Sequence, residues 1–202
     1  MTRQADHPVH DLFVERWSPR SFTGEAVPDD VLLTVLEAAR WAPSAMNAQP
    51  WRFLVARPGD AAWDDFVALL APRNRLWATR AGALFVIVSD TEVEWRGAST
   101  FNVSHSFDTG AAWASLALQA QLLGWHTHGI GGFDRELART RLAIPKRFAV
   151  EAMVALGKRA GLDQLPADFH DQETPNSRRP LAETVFEGRF GSPLNPQKRS
   201  AA

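Results

Sequence analysis

The sequence contains no cysteine and no tyrosine among its 202 residues. Without cysteine the chain can form no disulfide, use no thiolate nucleophile and hold no Cys-ligated metal. The two absences together remove two common proton donors. A chain without thiols fits the reducing cytoplasm, and we predict that location.

An excess of charge of one sign is also missing. The 22 basic residues nearly balance the 23 acidic ones, and the formal net charge is −1. This balance gives no argument for a nucleic-acid partner or an anionic membrane surface. The first residues, MTRQADHPVHDLF, include no apolar run of the kind that signal peptides carry. The longest stretch without a formal charge, residues 109–133, contains glutamines, histidines and glycines, so we expect a buried helix and a strand there instead of a membrane span.

Apolar residues recur along the chain at helical and strand spacings in alternation. The patterns predict helices from Pro28 to Pro43, over 61–70, after a cap at Asp108 or Thr109 and from Asp134, and strands over 51–56, 83–88, just after Gly124 and over 151–156. Strands separated by helices predict an α/β (α+β) sheet flanked by helices. We expect a short final helix after Arg179, and residues 1–202 to form one domain with an extended C-terminal tail.

The segment RWSPRSF, residues 16–22, places Arg16 and Arg20 on either side of Ser18. Guanidinium groups match phosphate oxygens in bidentate pairs, and a hydroxyl can add a further donor. The segment is therefore either a phosphate site or a solvated basic turn. A second basic run, NSRRP at 176–180, offers another phosphate clamp or simply a soluble surface.

The segment APSAMNAQPW, residues 42–51, joins the first long helix to the first strand. Its Ser44, Asn47 and Gln49 carry groups that can donate and accept hydrogen bonds at the edge of a heteroaromatic ring. The alternative is a polar loop whose side chains bind its own backbone.

GIGGF, residues 129–133, lies between a strand and a helix, where glycines allow a ligand to approach the backbone closely. It lacks the third glycine of the dinucleotide fingerprint, so a tight turn is the alternative. His126 and His128 on the preceding strand lack a third ligand nearby, and we predict no metal site.

RWSPRSF, WAPSAMNAQPWRF, GIGGFD and SRRP follow one another in the order found in the FMN-dependent nitroreductase family, which the chain resembles from about Phe13 to about Phe186. The resemblance implies a mixed sheet flanked by helices and a homodimer joined through long helices, with two FMN at the interface. Substrates would be small-molecule electron acceptors.

The resemblance also assigns residues to the flavin. It places the ribityl phosphate and the pyrimidine side at Arg16, Trp17, Ser18 and Arg20, and a late phosphate contact at Arg178, with Arg179 as the alternative. It places the other subunit's loop along the flavin at Pro43, Ser44, Ala45 and Asn47. Contacts to the isoalloxazine ring fall at Asn74 and, with backbone amides facing N5, at Ile130, Gly131 and Gly132.

The implied reaction is a ping-pong transfer of hydride from NADH or NADPH, through flavin N5, to a nitroaromatic, a quinone or a similar oxidant, with no catalytic side chain. Gly131 stands where family members commonly have an acidic residue, and Trp77 where some have a basic one. His105, Phe107 and Asp108 lie where substrate-facing side chains are often found. The same fold also serves reductive dehalogenation, flavin fragmentation and azoline oxidation, and a flavin-binding module with little turnover is a further alternative.

Overall fold

The computed structural model describes residues 3–194 and contains a four-stranded sheet. Its strands are β1 (Trp51–Ala56), β2 (Ala83–Asp90), β5 (His126–Ile130) and β6 (Phe148–Gly157), in the order β1-β2-β6-β5. Two further strands, β3 (Glu92–Trp95) and β4 (Ala98–Phe101), form a separate hairpin.

Helices cover both faces of the sheet. α2 (Asp29–Arg40) and α5 (His105–Leu122) pack on one face, and α3 (Trp63–Leu69), α4 (Pro72–Ala78) and α6 (Arg135–Arg141) pack on the other. A short α1 (Asp11–Glu15) precedes them, and 3-10 turns occur at Ala45–Asn47, Leu162–Gln164, Ala167–Gln172 and Leu181–Glu183. The predicted α+β class, with a sheet flanked by helices, is confirmed.

β2 is buried along its whole length because it lies in the middle of the sheet. Its side chains alternate between the two cores, since successive residues of a strand point to opposite faces. Leu84 and Val86 join the core under α3, α4 and α6, whereas Phe85 and Ile87 join the core under α2 and α5. This is why the sequence shows a continuous apolar run there and not an alternating pattern.

The pairing of β2 with β6 contains a bulge. Ile87 pairs with Ala152 and Val88 with Val150, so Glu151 is the extra residue on β6. A bulge re-aims the side chain at that point, and the Glu151 carboxylate reaches the first turn of α5.

Several expectations need correction. The sheet was expected to be mixed, but every strand pair within residues 3–194 is antiparallel. A helical connection permits parallel pairing without imposing it, and here α3 and α4 together return the chain to the end at which β1 finishes, where Ala56 pairs with Leu84. Asp108 and Thr109 do not cap the long helix, because α5 already begins at His105 after Ser104. The expected final helix is only the 3-10 turn at Leu181–Glu183.

The remaining element predictions agree with the structure to within a few residues, and the helix after GIGGF begins as expected. The Asp134 side chain caps α6 by accepting a hydrogen bond from the Leu137 amide at 2.8 Å. Among the described residues no helix is long and apolar enough to cross a membrane. The organisation into one domain stays a prediction, and the part of the predicted tail beyond Leu194 lies outside the described residues.

Candidate functional site

The RWSPRSF segment runs along the end of the sheet next to β6. The Thr23 amide donates to the Lys158 carbonyl, and the Ala160 amide donates to the Ser21 carbonyl, each at 3.0 Å. These bonds continue the sheet one step past β6 and fix where the segment ends. Residues 16–20 belong to no helix or strand; Trp17 and Pro19 are buried in this stretch, whereas Arg16, Ser18 and Arg20 are partly exposed.

Positive charge gathers at the start of this segment. Arg16 is half-buried, and Arg178 and Arg3 lie close enough to affect it: burial first, and then their charges, lower the pKa of the Arg16 guanidinium. Burial and the charge of Arg178 lower the pKa of Arg3 in the same way. Within residues 3–194 none of these three arginines forms an ion pair with a carboxylate. An uncompensated group of guanidiniums is the electrostatic setting that an anion requires.

The other side chains of the segment differ in how available they are. The guanidinium of Arg16 lies 3.4 Å from the Ser18 hydroxyl, and that of Arg20 has no hydrogen-bond partner among the described residues. The Trp17 side chain is only 6% exposed and packs under the Arg159 guanidinium. Trp17 could therefore meet a ligand only through its backbone.

Of the two late arginines, only Arg178 lies near the Arg16 group. Its guanidinium donates to the Asn176 side-chain and Ser177 backbone oxygens at 3.1 Å. Arg179 points to Glu183, at 4.0 Å, and is exposed. The geometry favours Arg178 as the member that joins Arg16.

His128 connects the arginine segment to α4. Its Nδ1 lies 3.0 Å from the Pro19 carbonyl, and its ring packs on Trp77 with centroids 4.6 Å apart. Burial and the nearby Arg20 and Arg16 charges outweigh the hydrogen bonds to Pro19 and Ser18 and lower the pKa of His128 to about 4. The ring is therefore neutral at pH 7, and it packs between Trp77 and the Pro19 carbonyl of the segment. Trp77 is 1% exposed and belongs to the core, so it is not a side chain that faces a substrate.

One turn before Trp77, Asn74 reaches the loop after β5. Its Nδ2 donates to the Gly132 carbonyl at 2.9 Å, and the Ala71 amide donates to the same oxygen at 3.1 Å. Gly131 and Gly132 are exposed, whereas the Ile130 side chain is 3% exposed and packed in the core. A cavity of about 570 Å³ lies between residues 68–72 and 131–134. Asn74 and the glycines of GIGGF, separate in the sequence, are thus in direct contact.

The loop 43–49 lies at the N-terminal end of α5. The Asp108 carboxylate accepts a hydrogen bond from the Ala45 amide at 3.0 Å, and the Ser44 hydroxyl accepts one from the Gln49 amide at 3.0 Å. Pro43, Ala45 and Asn47 are exposed.

The backbone of this loop is strained. Three of the five non-glycine residues with positive φ in the described chain are Met46, Asn47 and Gln49, at 53°, 55° and 47°. Left-handed non-glycine residues cost on the order of 1–3 kcal/mol each and concentrate at ligand-binding sites. The Gln49 amide donates to the Ser44 hydroxyl and the Gln49 side chain donates to the Asn47 carbonyl, which are the bonds of a polar loop that binds its own backbone. The strain is also a feature of ligand-binding loops, so the flavin contact of this loop stays a prediction.

The structure therefore brings the sequence-predicted residues together in two groups. One joins Arg16, Ser18 and Arg20 to Arg178 and, through His128 and α4, to Asn74 and Gly132. The other joins the loop 43–49 to Asp108. Within the part of the chain that the structure describes, no hydrogen bond connects the loop with residues 16–20 or 131–132.

Sequence reasoning missed four side chains of these surroundings: Arg3, His128, Glu173 and Glu151. His128 was considered only as a metal ligand, and no group of three or more potential metal-binding side chains occurs within residues 3–194. Glu173 accepts hydrogen bonds from the Arg20 and Ser21 amides. Glu151 accepts hydrogen bonds from the Ser89 and Ser106 hydroxyls. The residues in these contacts are 45 to 153 positions apart in the chain, so no local sequence pattern predicts them.

Comparison with known proteins identifies the family of the chain. The model of the Nitroreductase family matches residues 14–158. A Thermus thermophilus protein named NADH dehydrogenase is 31% identical over 212 residues, covering 91% of this chain and 98% of that protein.

Solved structures give the same result. The crystal structure of an oxidoreductase containing FMN superposes with a TM-score of 0.91 at 46% identity, covering 94% of this chain and 96% of that one. A Desulfovibrio desulfuricans protein described as a nitroreductase in complex with FMN superposes with a TM-score of 0.70 at 32% identity, covering 92% of this chain and 99% of that one.

Proposed function

The chain belongs to the nitroreductase family, and we propose that it is an FMN-dependent oxidoreductase that transfers electrons from NADH or NADPH to a nitroaromatic, a quinone or a similar small acceptor. The observation that supports this proposal most directly is the group formed by Arg16, Arg20 and Arg178. Its guanidiniums have no carboxylate partner within residues 3–194. Arg16 and Arg20 lie on the segment that His128 connects to α4, the helix that carries Asn74.

The donor set fits FMN. A phosphate monoester carries close to two negative charges at pH 7 and several acceptor oxygens, which suit Arg16, Arg20, Arg178 and the Ser18 hydroxyl. The flat ring would lie against the loop of Gly131 and Gly132, where the backbone is exposed. When bound, FMN would supply the redox chemistry by accepting a hydride at N5 from the nicotinamide and passing it to the acceptor in a ping-pong cycle.

The protein's own residues would bind and orient. The arginines would neutralise the phosphate, Asn74 would hold the Gly132 carbonyl so that the loop amides face the ring, and buried Trp77 would support the site without contacting the acceptor. The chain has neither Cys nor Tyr, and we assign no side chain as a proton donor.

We also propose a homodimer in which the loop 43–49 covers the partner's flavin. Within residues 3–194 no hydrogen bond joins the loop to residues 16–20, and in a dimer the partner's loop would complete the site. One face of α5 supports this, because Phe107, Ala114 and Leu122 follow one another at helical spacing and are all exposed. The cytoplasm remains the proposed location, as fits a chain without thiols.

A flavin spectrum tests the proposal. Purified protein should be yellow or should take up added FMN, and anaerobic NADH or NADPH should bleach the flavin band. Re-oxidation by a nitroaromatic or by menadione should follow, with parallel lines in double-reciprocal plots. Colourless protein that takes up no FMN would overturn the proposal, and bleaching without re-oxidation would leave only a flavin-binding module.

A further inference from the structure

Two side chains outside the family motifs hold the arginine segment at its two ends. Arg3 contacts the first residue of the segment 16–20, and Glu173 contacts the last. Both contacts connect the segment with residues 173–176, which lead directly to Arg178.

Arg3 links two distant parts of the chain through its guanidinium. Nη1 donates to the carbonyls of Val14 and Arg16 at 2.9 and 2.8 Å, and Nε donates to the Asn176 carbonyl at 2.8 Å. These bonds occupy most of the five N–H donors that an arginine carries. Arg3 therefore acts on neighbouring backbone, and it brings Arg16 and the residues before Arg178 side by side.

Glu173 holds the other end of the segment, where it accepts hydrogen bonds instead of donating them. Its carboxylate is 8% exposed and accepts hydrogen bonds from the Arg20 amide at 3.0 and 2.9 Å and from the Ser21 amide at 3.0 Å. A buried carboxylate needs such partners to offset its lost hydration. Because the amides satisfy it, Glu173 leaves the Arg20 guanidinium without a partner in residues 3–194 and available to a ligand.

We propose that Arg3 and Glu173 are positioning residues of the phosphate site, fixing residues 16–20 so that the side chains of Arg16 and Arg20 converge with Arg178 on one phosphate monoester. This inference rests on the proposed FMN function. It assigns to a carboxylate a favourable effect on anion binding, although its charge alone would repel the anion.

The charge of Glu173 and its positioning role have opposite effects on FMN binding, which makes the inference testable. If Glu173 acted through its charge alone, Glu173→Gln would tighten FMN binding. If it positions the segment, Glu173→Gln weakens binding, because the amide group presents one N–H side to two backbone donors. Arg3→Lys separates the effects at the other end, since it keeps the charge and loses the planar fork.

The experiment titrates flavin-free protein with FMN and with riboflavin, which lacks the phosphate, and follows flavin fluorescence. For Arg3→Lys, Arg3→Ala and Glu173→Gln, the Kd for FMN should rise about tenfold, equivalent to about 1.4 kcal/mol. The Kd for riboflavin should stay within about twofold of wild type. Amide hydrogen exchange at residues 20 and 21 should accelerate in Glu173→Gln.

Matched controls come from the exposed β3–β4 hairpin. Arg96→Ala and Glu94→Gln make the same changes in charge away from the arginine group and should leave both affinities unchanged. Thermal melting of each flavin-free variant checks folding, and the riboflavin titration reports whether the ring site is intact.

Wild-type affinity for FMN in Arg3→Lys would overturn the inference, and so would tighter FMN binding in Glu173→Gln or an equal loss of both flavins. Its failure is distinguishable from failure of the proposed function. If Arg16→Ala loses FMN while the Arg3 and Glu173 variants keep it, the function stands and the positioning role falls. If wild-type protein binds neither flavin, both fall.

Discussion

Asn74 donates a hydrogen bond from its Nδ2 to the Gly132 carbonyl at 2.9 Å and so joins α4 to the loop after β5. A Cβ on Gly132 would lie 2.7 Å from this Nδ2, whereas a Cβ on Gly131 would meet nothing within 4 Å. The two adjacent glycines therefore have different reasons to be glycine. Gly132 allows a close approach of two segments, and Gly131 leaves open space on the exposed side of the loop.

Gly132→Ala should disturb the loop, and Gly131→Ala should not. In Gly132→Ala the Asn74 side chain must move away and lose its hydrogen bond, which lowers the free energy of unfolding by about 1 kcal/mol. Under the proposed function, the Kd for FMN should rise severalfold in the same variant. Urea denaturation and flavin titration measure both effects, and equal behaviour of the two variants would contradict this account of the loop.

Asp108→Ala should loosen the loop 43–49. Asp108 is buried, at 4% exposed, and its carboxylate accepts a hydrogen bond from the Ala45 amide. Hydrogen bonds to charged groups contribute about 1.5–3 kcal/mol, so the unfolding free energy should fall by about 2 kcal/mol. Flavin release should also become faster if this loop covers the partner's flavin.

Two variants accompany this measurement. Asp108→Asn keeps one acceptor oxygen and should lie between wild type and Asp108→Ala. Asp64→Ala, which removes an exposed carboxylate on α3, should change neither quantity. Flavin release that is unaffected in a destabilised Asp108→Ala protein would show that the loop does not cover the flavin.

The sequence predicted the four strands of the sheet and the long helices well because their signals are local, whereas the expected mixed pairing of the strands was wrong. The buried run at 83–88 and the acidic first turn after Pro28 are each visible within a few residues, and both elements were placed correctly. α4 was missed although Pro72 at its first position is a common helix start. Its seven residues include Arg73, Asn74 and Arg75, and only Trp77 and Ala78 at its end are buried, which is too few for a helical apolar pattern in the sequence.

The candidate site was only partly predictable, for a different reason. Arg16, Arg20 and Arg178 stand in recognisable motifs, but the groups that arrange them do not. Glu173 meets the Arg20 amide across 153 positions, and the contact exists only once the sheet has formed. A charged residue of this kind looks like any solvated surface residue until its burial is known.

The Ser89 hydroxyl has two neighbours, and removing both should cost more than the sum of the single changes. Its Oγ donates to the Glu151 carboxylate at 2.5 Å and lies 2.7 Å from His105 Nδ1, and Ser89 is fully buried. Either single variant, Glu151→Ala or His105→Ala, leaves this hydroxyl one partner. The double variant leaves it none, at an additional cost of about 1 kcal/mol.

A double-mutant cycle in urea measures this coupling between the β6 bulge and the first turn of α5. Ser106→Ala provides the comparison, because the Ser106 hydroxyl also donates to Glu151, at 2.6 Å, but Ser106 is exposed. Its loss should cost less than that of Glu151. Strictly additive energies would show that the Ser89 hydroxyl does not depend on these two partners.

The stability of the protein should fall as the pH is lowered from about 6.5 to about 4, because of His128. Its pKa in the fold is about 4, below the ordinary value of 6.5. Between these two values the unfolded chain binds a proton that the folded chain does not bind, so acid favours unfolding. The difference between these two pKa values lowers the free energy of unfolding by about 3 kcal/mol at pH 4, relative to neutral pH. His126, whose pKa burial and then Arg159 and Lys158 also lower, acts in the same direction.

Urea denaturation of His128→Asn and His128→Phe at pH 7 and pH 4.5 isolates the contribution of His128. Both variants remove the titrating ring, so both should lose much less stability than wild type between the two pH values. Asn can still donate to the Pro19 carbonyl, whereas Phe cannot, so His128→Phe alone should also be less stable at pH 7, by about 1 kcal/mol. If both variants lost as much stability as wild type between pH 7 and pH 4.5, the acid sensitivity would belong to other groups. Since His128 supports Pro19, between Ser18 and Arg20, the Kd for FMN should rise in His128→Phe more than in His128→Asn.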